Sequence, residues 1–306
     1  MIEDEKEDMI VITTKEEKIM EDILKDKTDG TKKTYKNAYK LLKRVINMND
    51  IIDYDVNDLI NIIQDVNYLK DNTKAGLINI YYLIIKQEKD DEKLKIIDEV
   101  RKEMKIKLHR DRVKKNKCLI DILPTAEELK YKLNKLYENE QYENYVMNYL
   151  MINLNVRNQD LILMILDSKN KMQDPNINYL IMNESYILYI RHTYKTYNTY
   201  GRKTNRITNA KFTDALKKVY QQREKQAIFP FLMYNEDYTD PLIKENIGTY
   251  VKNKSIDKLG ETKIAKVMIH DADIKPNTMN KLKKISNNRG TDVATLSEHY
   301  NISMNK

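Results

Sequence analysis

The sequence predicts a mainly α-helical chain with one small antiparallel β-sheet, an α+β fold in two domains, on three observations. Apolar residues recur at helical spacing through most of the chain. The one convincingly β-rich stretch lies between residues 177 and 207. A basic run from Arg101 to Lys117 lacks the apolar periodicity of a core helix, and it divides a 306-residue chain that is long enough to bury two cores.

Residues 1–27 hold ten acids and five lysines, a net of −5. They are expected to form an acidic N-terminal arm, with a disordered segment, a regulatory helix and a partner-binding segment all open. Thr31 to Met48 then places Tyr35, Tyr39, Leu42 and Ile46 one helical turn apart, and Asp55 to Tyr68 offers Leu59, Ile62 and Ile63. Asn72 or Thr73 is expected to cap a third helix carrying Leu77, Ile80, Tyr81 and Ile84; a fourth runs through Leu94, Ile97 and Val100. These four predict a helical bundle over residues 28–100. Residues 101–118 read as an interdomain linker, for which a solvated helix extension and a strap across a phosphate backbone are both open. The second domain, residues 119–306, opens on a capping box, with Thr125 as N-cap and Glu128 three residues on. A helix over Tyr142 to Leu154 follows, then a buried apolar run Leu161 to Leu166. Asn178 to Met182 and Ser185 to Thr193 read as strands around Asn183-Glu184, with a further turn near Tyr194 to Gly201. From Asn209 onward the pattern is helical again, broken at Pro230, Pro241 and Pro276.

Composition excludes several functions. One cysteine, Cys118, and four scattered histidines give neither a disulfide framework nor metal-ligand spacing. The sequence has no GxxxxGK[ST], GxGxxG or GxSxG string, so neither a nucleotide nor any other cofactor is expected. The chain lacks an apolar run near the roughly 20 residues that span a bilayer, and it begins acidic where a signal peptide is basic and then apolar. An intracellular protein with no membrane partner is expected. With 54 basic and 47 acidic residues the net charge is +7, so the chain beyond residue 27 carries +12. The run 101–117 holds nine basic residues against Glu103 and Asp111, including Arg110, Arg112, Lys114 and Lys115. Arg191 to Lys211 holds six and no acid, with Arg191, Arg202, Lys203 and Arg206 interleaved among Tyr194, Tyr197 and Tyr200. Lys32, Lys33, Lys36 and Lys74 cluster near helix starts, which opposes the helix dipole and suggests an anionic partner.

Four local patterns stand out. Gly290 stands ten residues before Tyr300, so a glycine turn followed by a short helix can present a phenol to a cleft. Arg157 opens Arg157-Asn158-Gln159-Asp160-Leu161 beside an apolar run, a place where a guanidinium can fork onto two phosphate oxygens. It is one of ten arginines among 44 lysines. Lys195 sits on the turn after a strand, with Lys203 as the fallback, and Lys263-Ile264-Ala265-Lys266 precedes the glycine turn.

In the order of these elements, across residues 28–306, the sequence resembles the tyrosine recombinases or phage-type integrases, in particular divergent members encoded by large DNA viruses and virophages. The resemblance implies a helical core-binding bundle and a catalytic domain that clamp duplex DNA, with the basic run closing the clamp. It implies Tyr300 as nucleophile, Arg157 as the first arginine, Lys195 as general acid and a covalent phosphotyrosine that needs neither ATP nor metal. Lys266 takes the place of the family's second arginine and Lys263 that of its histidine; a lysine keeps the charge but not the bidentate fork. Thr291 stands where the family has His or Trp, Arg289 is a candidate for the missing guanidinium, and His299 is a further supporting candidate. These departures leave open a slower enzyme, a diverged subgroup or a DNA-binding relic. The resemblance also implies a homo-oligomer, a tetramer on two paired duplexes, and for a viral protein the host cytoplasm or nucleus.

Overall fold

The computed structural model describes residues 15–300 apart from 173, 227, 236, 238, 243–245 and 274–277. The chain divides into two compact units, one ending at Arg112 and the other starting at Val113.

The first unit is built from α1 (Lys15–Leu24), α2 (Asp29–Val45), α3 (Val56–Asp65), α4 (Asp71–Glu88) and the first part of α5 (Asp91–Ile120). Thr28 caps α2 by accepting from the Thr31 N–H, and Asp55 caps α3 by accepting from Asn57 and Asp58 at 2.8 and 3.1 Å. The cap expected for α4 at Asn72 or Thr73 falls inside its first turn. The N-cap position is Lys70, whose carbonyl accepts from the Thr73 and Lys74 N–H groups, with no side-chain cap. The apolar stripe of α4 is the centre of the core: Leu77, Ile80, Tyr81 and Ile84 are all buried, together with Leu42 and Ile46 of the α2 segment and Leu59 and Ile63 of α3.

One expectation is corrected here, and one open alternative is decided. Residues 15–24 of the acidic arm form α1, whose Ile19, Met20, Ile23 and Leu24 join the same core, so the bundle begins before residue 28. The many charges on the outer face of α1 conceal this stripe in a count of composition. Glu16 fixes it further: 2% exposed, its carboxylate accepts from Lys43 Nζ at 2.9 Å and from the Ile51 and Ile52 N–H groups. Residues 1–14 lie outside the described residues. Residues 101–118 take the helix-extension reading: they form the second half of α5, and the boundary between the two units falls among them. No Gly or Pro occurs between Asp91 and Ile120, and Lys, Arg, Glu and Met are strong helix formers. Asp98 adds i,i+3 and i,i+4 pairs to Arg101 and Lys102 at 3.2 and 2.9 Å.

In the second unit the predicted capping box is present. Thr125 accepts from the Glu128 N–H at 3.2 Å and its own N–H donates to the Glu128 carboxylate at 2.7 Å, opening α6 (Ala126–Glu138). α7 (Tyr142–Leu154) has the expected bounds. The strands are β1 (Leu163–Leu166), β2 (Asn178–Met182), β3 (Ile187–Arg191) and, after the short helix α8 (Tyr197–Tyr200), β4 (Lys203–Ile207). They form one sheet in the order β1-β2-β3-β4. The expected antiparallel sheet proves mixed: β2, β3 and β4 are antiparallel neighbours, but β1 runs parallel to β2, with Leu163 opposite Asn178. The run Leu161 to Leu166 is uniformly apolar, so its sequence reports burial without a strand period. The Pro230 carbonyl accepts from the Ile165 N–H at 2.7 Å, occupying the outer edge of β1.

Among the described residues five α-helices follow: α9 (Ala210–Lys225), α10 (Ile247–Lys254), α11 (Gly260–Asp273), α12 (Thr278–Arg289) and α13 (Val293–Tyr300). The main core joins α6, α7, α9 and α10 to one face of the sheet. A smaller one, Ile269, Ala272, Leu282, Ile285 and Leu296, ties α13 to α11 and α12. No helix among the described residues is long and apolar enough to cross a membrane.

Candidate functional site

The site of the second unit is organised around a buried ion pair. α7 ends on Asn155 in the left-handed conformation, and the chain turns through Arg157 into the 3₁₀ turn Asn158–Leu161. There Asp160 Oδ2 accepts from the Arg157 N–H at 3.1 Å and from Arg191 Nη1 at 3.2 Å. Both partners of the pair are fully buried. Burial pushes the Asp160 carboxyl above its ordinary range, against the opposing pull of Arg191 and Arg157. Arg191 closes β3 on the inward face it shares with Tyr189, and it also donates to the Asn288 carbonyl at 2.5 Å and to Asn205 Oδ1 at 3.1 Å. It is therefore an interior brace and not the DNA contact expected of it. Inward alternation along β3 decides this, and one guanidinium supplies donors for three acceptors.

The brace holds the C-terminus of α12. Gly290 adopts φ +61°, and the Thr291 N–H donates to the Ser286 carbonyl at 3.1 Å while the Gly290 N–H donates to Asn287 at 3.3 Å. This is a Schellman motif with the glycine at the position that favours a left-handed residue. A Cβ at Gly290 would lie 2.6 Å from Thr196 Oγ1 and 2.7 Å from a Tyr194 ring carbon. The Gly290 carbonyl accepts from Thr196, and Lys203 Nζ donates to the Asn287 carbonyl. The glycine turn that leads to Tyr300 is thus seated on the connection from β3 to β4 that carries Lys195.

Lys195 lies exposed between Tyr194 and Thr196, the two residues in contact with Gly290. Lys203, half-buried at the start of β4, has its ammonium pushed below the ordinary lysine value by burial and by the charges of Arg191 and Arg157, with Asp160 opposing. Lys203 and Arg157 therefore share one electrostatic environment. Burial, with the charge of Arg202, also holds His192 below the usual histidine value. Arg202 and Arg206 are exposed, the latter with its guanidinium 4.0 Å from the Tyr186 ring centroid.

The remaining candidates fall less neatly. Arg289 is 1% exposed and bound to Glu261 Oε1 at 2.6 Å, so it is structural and cannot supply the missing guanidinium. Glu261 also accepts from the Asn158 N–H at 3.0 Å, which docks the start of α11 beside Arg157. Lys263 is exposed one turn into α11; Lys266 is half-buried and donates to Asn116 Oδ1 at 2.6 Å. Thr291 is half-buried and closes the Schellman turn through its backbone. The backbone of α13 reaches Tyr300, whereas the side chains of His299 and Tyr300 lie outside the described residues. In α5, Arg110, Lys114 and Lys115 are exposed and Arg112 is half-buried. Of the first-unit lysines, Lys33 and Lys36 are exposed and Lys32 is half-buried; Lys74 is also half-buried and donates to the Gln64 carbonyl.

Sequence reasoning missed Asp160 as the buried partner of Arg191, Glu261 as the clasp between the Asn158 N–H and Arg289, and Asn205 and Asn288 as further partners of Arg191. Only Asp160, three residues after Arg157, left a local signal. Among the described residues no group of three His, Cys, Asp or Glu side chains is placed to hold a metal ion. No protein-family model, curated protein or solved structure matches this chain.

Proposed function

We propose that the protein is a site-specific DNA recombinase or integrase that cleaves and rejoins duplex DNA through a covalent 3′-phosphotyrosine. The observation that carries this reading is the seating of the Gly290 turn on Tyr194 and Thr196, with Arg157 and Lys203 in one electrostatic environment beside it. Tyr300 Oη gives up its proton to solvent and attacks the scissile phosphorus, the P–O5′ bond breaks, and the departing 5′ oxygen takes a proton from a lysine. The energy of the phosphodiester is kept in the P–O–Tyr bond, so reversal by a 5′ hydroxyl reseals the strand without a cofactor. Lys203 is favoured over Lys195 as the donor, because a lowered ammonium pKa eases proton release and Lys203 senses the Arg157 charge. Arg157, with Lys263 and Lys266, balances the charge that develops on the phosphate. The partner is double-stranded DNA, engaged as a tetramer.

One observation favours a second reading, a DNA-binding protein without strand transfer. Arg289 is consumed by Glu261, and Lys266 is held by Asn116, which leaves the place of the second arginine with a tethered point charge. Incubation with a nicked suicide duplex distinguishes the two. Strand transfer gives a protein–DNA adduct that survives denaturation and is lost in Tyr300→Phe with duplex binding retained. Salt-sensitive binding with no adduct establishes the second reading, and an adduct that persists in Tyr300→Phe removes Tyr300 as nucleophile.

A further inference from the structure

We infer that α8 and its flanks form a stacking platform for unpaired bases, so that the preferred DNA substrate has extruded or single-stranded nucleotides at the contacted position. The inference rests on the DNA reading above and deepens it. Tyr197 and Tyr200 are 40% and 44% exposed, one helical turn apart on a four-residue helix. Two open rings one turn apart among cations offer π-faces, which phosphate neutralisation, needing only charge, does not require.

The platform is held in place. Tyr194, buried beneath, packs edge-on against Tyr197 with ring centroids 6.0 Å apart, and its hydroxyl donates to the Gly201 carbonyl at 2.6 Å. The Gly201 and Tyr200 N–H groups donate to the Tyr197 and Thr196 carbonyls at 2.7 and 3.1 Å, and Thr196 is itself bound to Gly290. Lys203 Nζ stands 5.0 Å from the Tyr200 ring centroid. Lys195 and Arg202 are exposed on either side, and no carboxylate occurs from residue 191 to residue 211. Preorganised rings lose little side-chain entropy on contact. A polyanion whose bases expose π-faces complements rings flanked by cations. Bases inside an intact duplex present only their edges, so the fit is to nucleotides out of the stack.

Fluorescence anisotropy with three probes of one sequence tests this: an intact duplex, the same duplex with a three-nucleotide gap, and the single strand. The gapped duplex is expected to bind about fivefold to a hundredfold tighter than the intact one, the range that stacking of one base supplies. Tyr197→Ala and Tyr200→Ala should remove that preference while intact-duplex affinity stays within about twofold, and Tyr200→Phe should keep it. A 2-aminopurine placed in the gap should be quenched by the wild-type chain and not by Tyr200→Ala. Equal affinity for gapped and intact duplexes, or equal losses on both in the alanine variants, overturns the platform and leaves the DNA reading standing. No binding to any probe at low salt overturns both.

Discussion

At the scale of single residues, three of the chain's ten arginines, Arg191, Arg223 and Arg289, are among its largest fully buried side chains. Each is paired with a carboxylate and donates to backbone carbonyls: Arg191 with Asp160 and Asn288, Arg223 with Glu143, Phe231 and Leu232, Arg289 with Glu261 and Asn155. In a lysine-rich chain, arginine is used where one side chain must satisfy several acceptors away from water. Rarity therefore selects interior arginines as readily as the candidate phosphate ligand proposed at Arg157. Arg191→Met should cost about 3–5 kcal/mol in urea denaturation, because it leaves Asp160 buried without its counter-charge. Arg191→Lys should recover only part of this, since a single ammonium nitrogen cannot reproduce the spread of the two guanidinium nitrogens that reach Asp160, Asn288 and Asn205. Removing Arg191 also removes a charge that lowers the Asp160 pKa, so that pKa rises further above its unfolded value. The folded state then binds the proton more tightly than the unfolded state. The deficit of Arg191→Met should accordingly be smallest at acid pH and grow as pH rises through the raised pKa. A loss under about 1 kcal/mol, or a deficit largest at low pH, would refute the role of the pair.

At the scale of elements, the Schellman turn at Gly290 couples α12 to the connection between β3 and β4. Gly290→Ala must hold a non-glycine residue at φ +61° and push a Cβ against Thr196 and Tyr194. The backbone alone costs about 1–2 kcal/mol, which lowers the melting temperature by about 2–8 °C. If the turn positions the α13 segment for strand transfer, adduct formation should slow more than tenfold (~1.4 kcal/mol) with duplex affinity nearly unchanged. Thr196→Val, which keeps the volume but loses the hydrogen bond to Gly290, should show the same split in milder form. Equal loss of adduct and affinity would mean that the turn only stabilises the fold. Elements with a strong local code were legible in sequence: the Thr125–Glu128 capping box, α7 and the apolar stripe of α4 all lie where periodicity and capping place them. The spacing from Gly290 to Tyr300 also marked a real turn, although the partners of that turn are more than 80 residues away in sequence. What was illegible depends on distant partners. The direction of β1 is set by pairing with β2, the burial of α1 by helices that follow it, and the inward turn of Arg191 by Asp160 and Asn288.

At the scale of the whole chain, the total charge of +7 divides into an acidic head and a basic remainder, and the structure sorts that remainder again. Arg191 and Arg289 are neutralised in the interior, and Lys74 and Lys266 are engaged by local acceptors, so the gross count of 54 basic residues overstates the cations open to a partner. Arg110, Lys114 and Lys115 differ: they are exposed on α5. Each cation that contacts a phosphate releases condensed counterions and adds about 0.9 to the slope of log K against log salt. Replacing Arg110, Lys114 and Lys115 together by Gln should therefore weaken duplex binding across all sequences and reduce that slope by about 2–3. The same triple change should leave the gap preference of the tyrosine platform intact, because stacking on Tyr197 and Tyr200 does not depend on those charges. A slope unchanged by the triple substitution would take α5 out of the DNA interface and leave phosphate contact to the exposed cations around α8, Lys195 and Arg202.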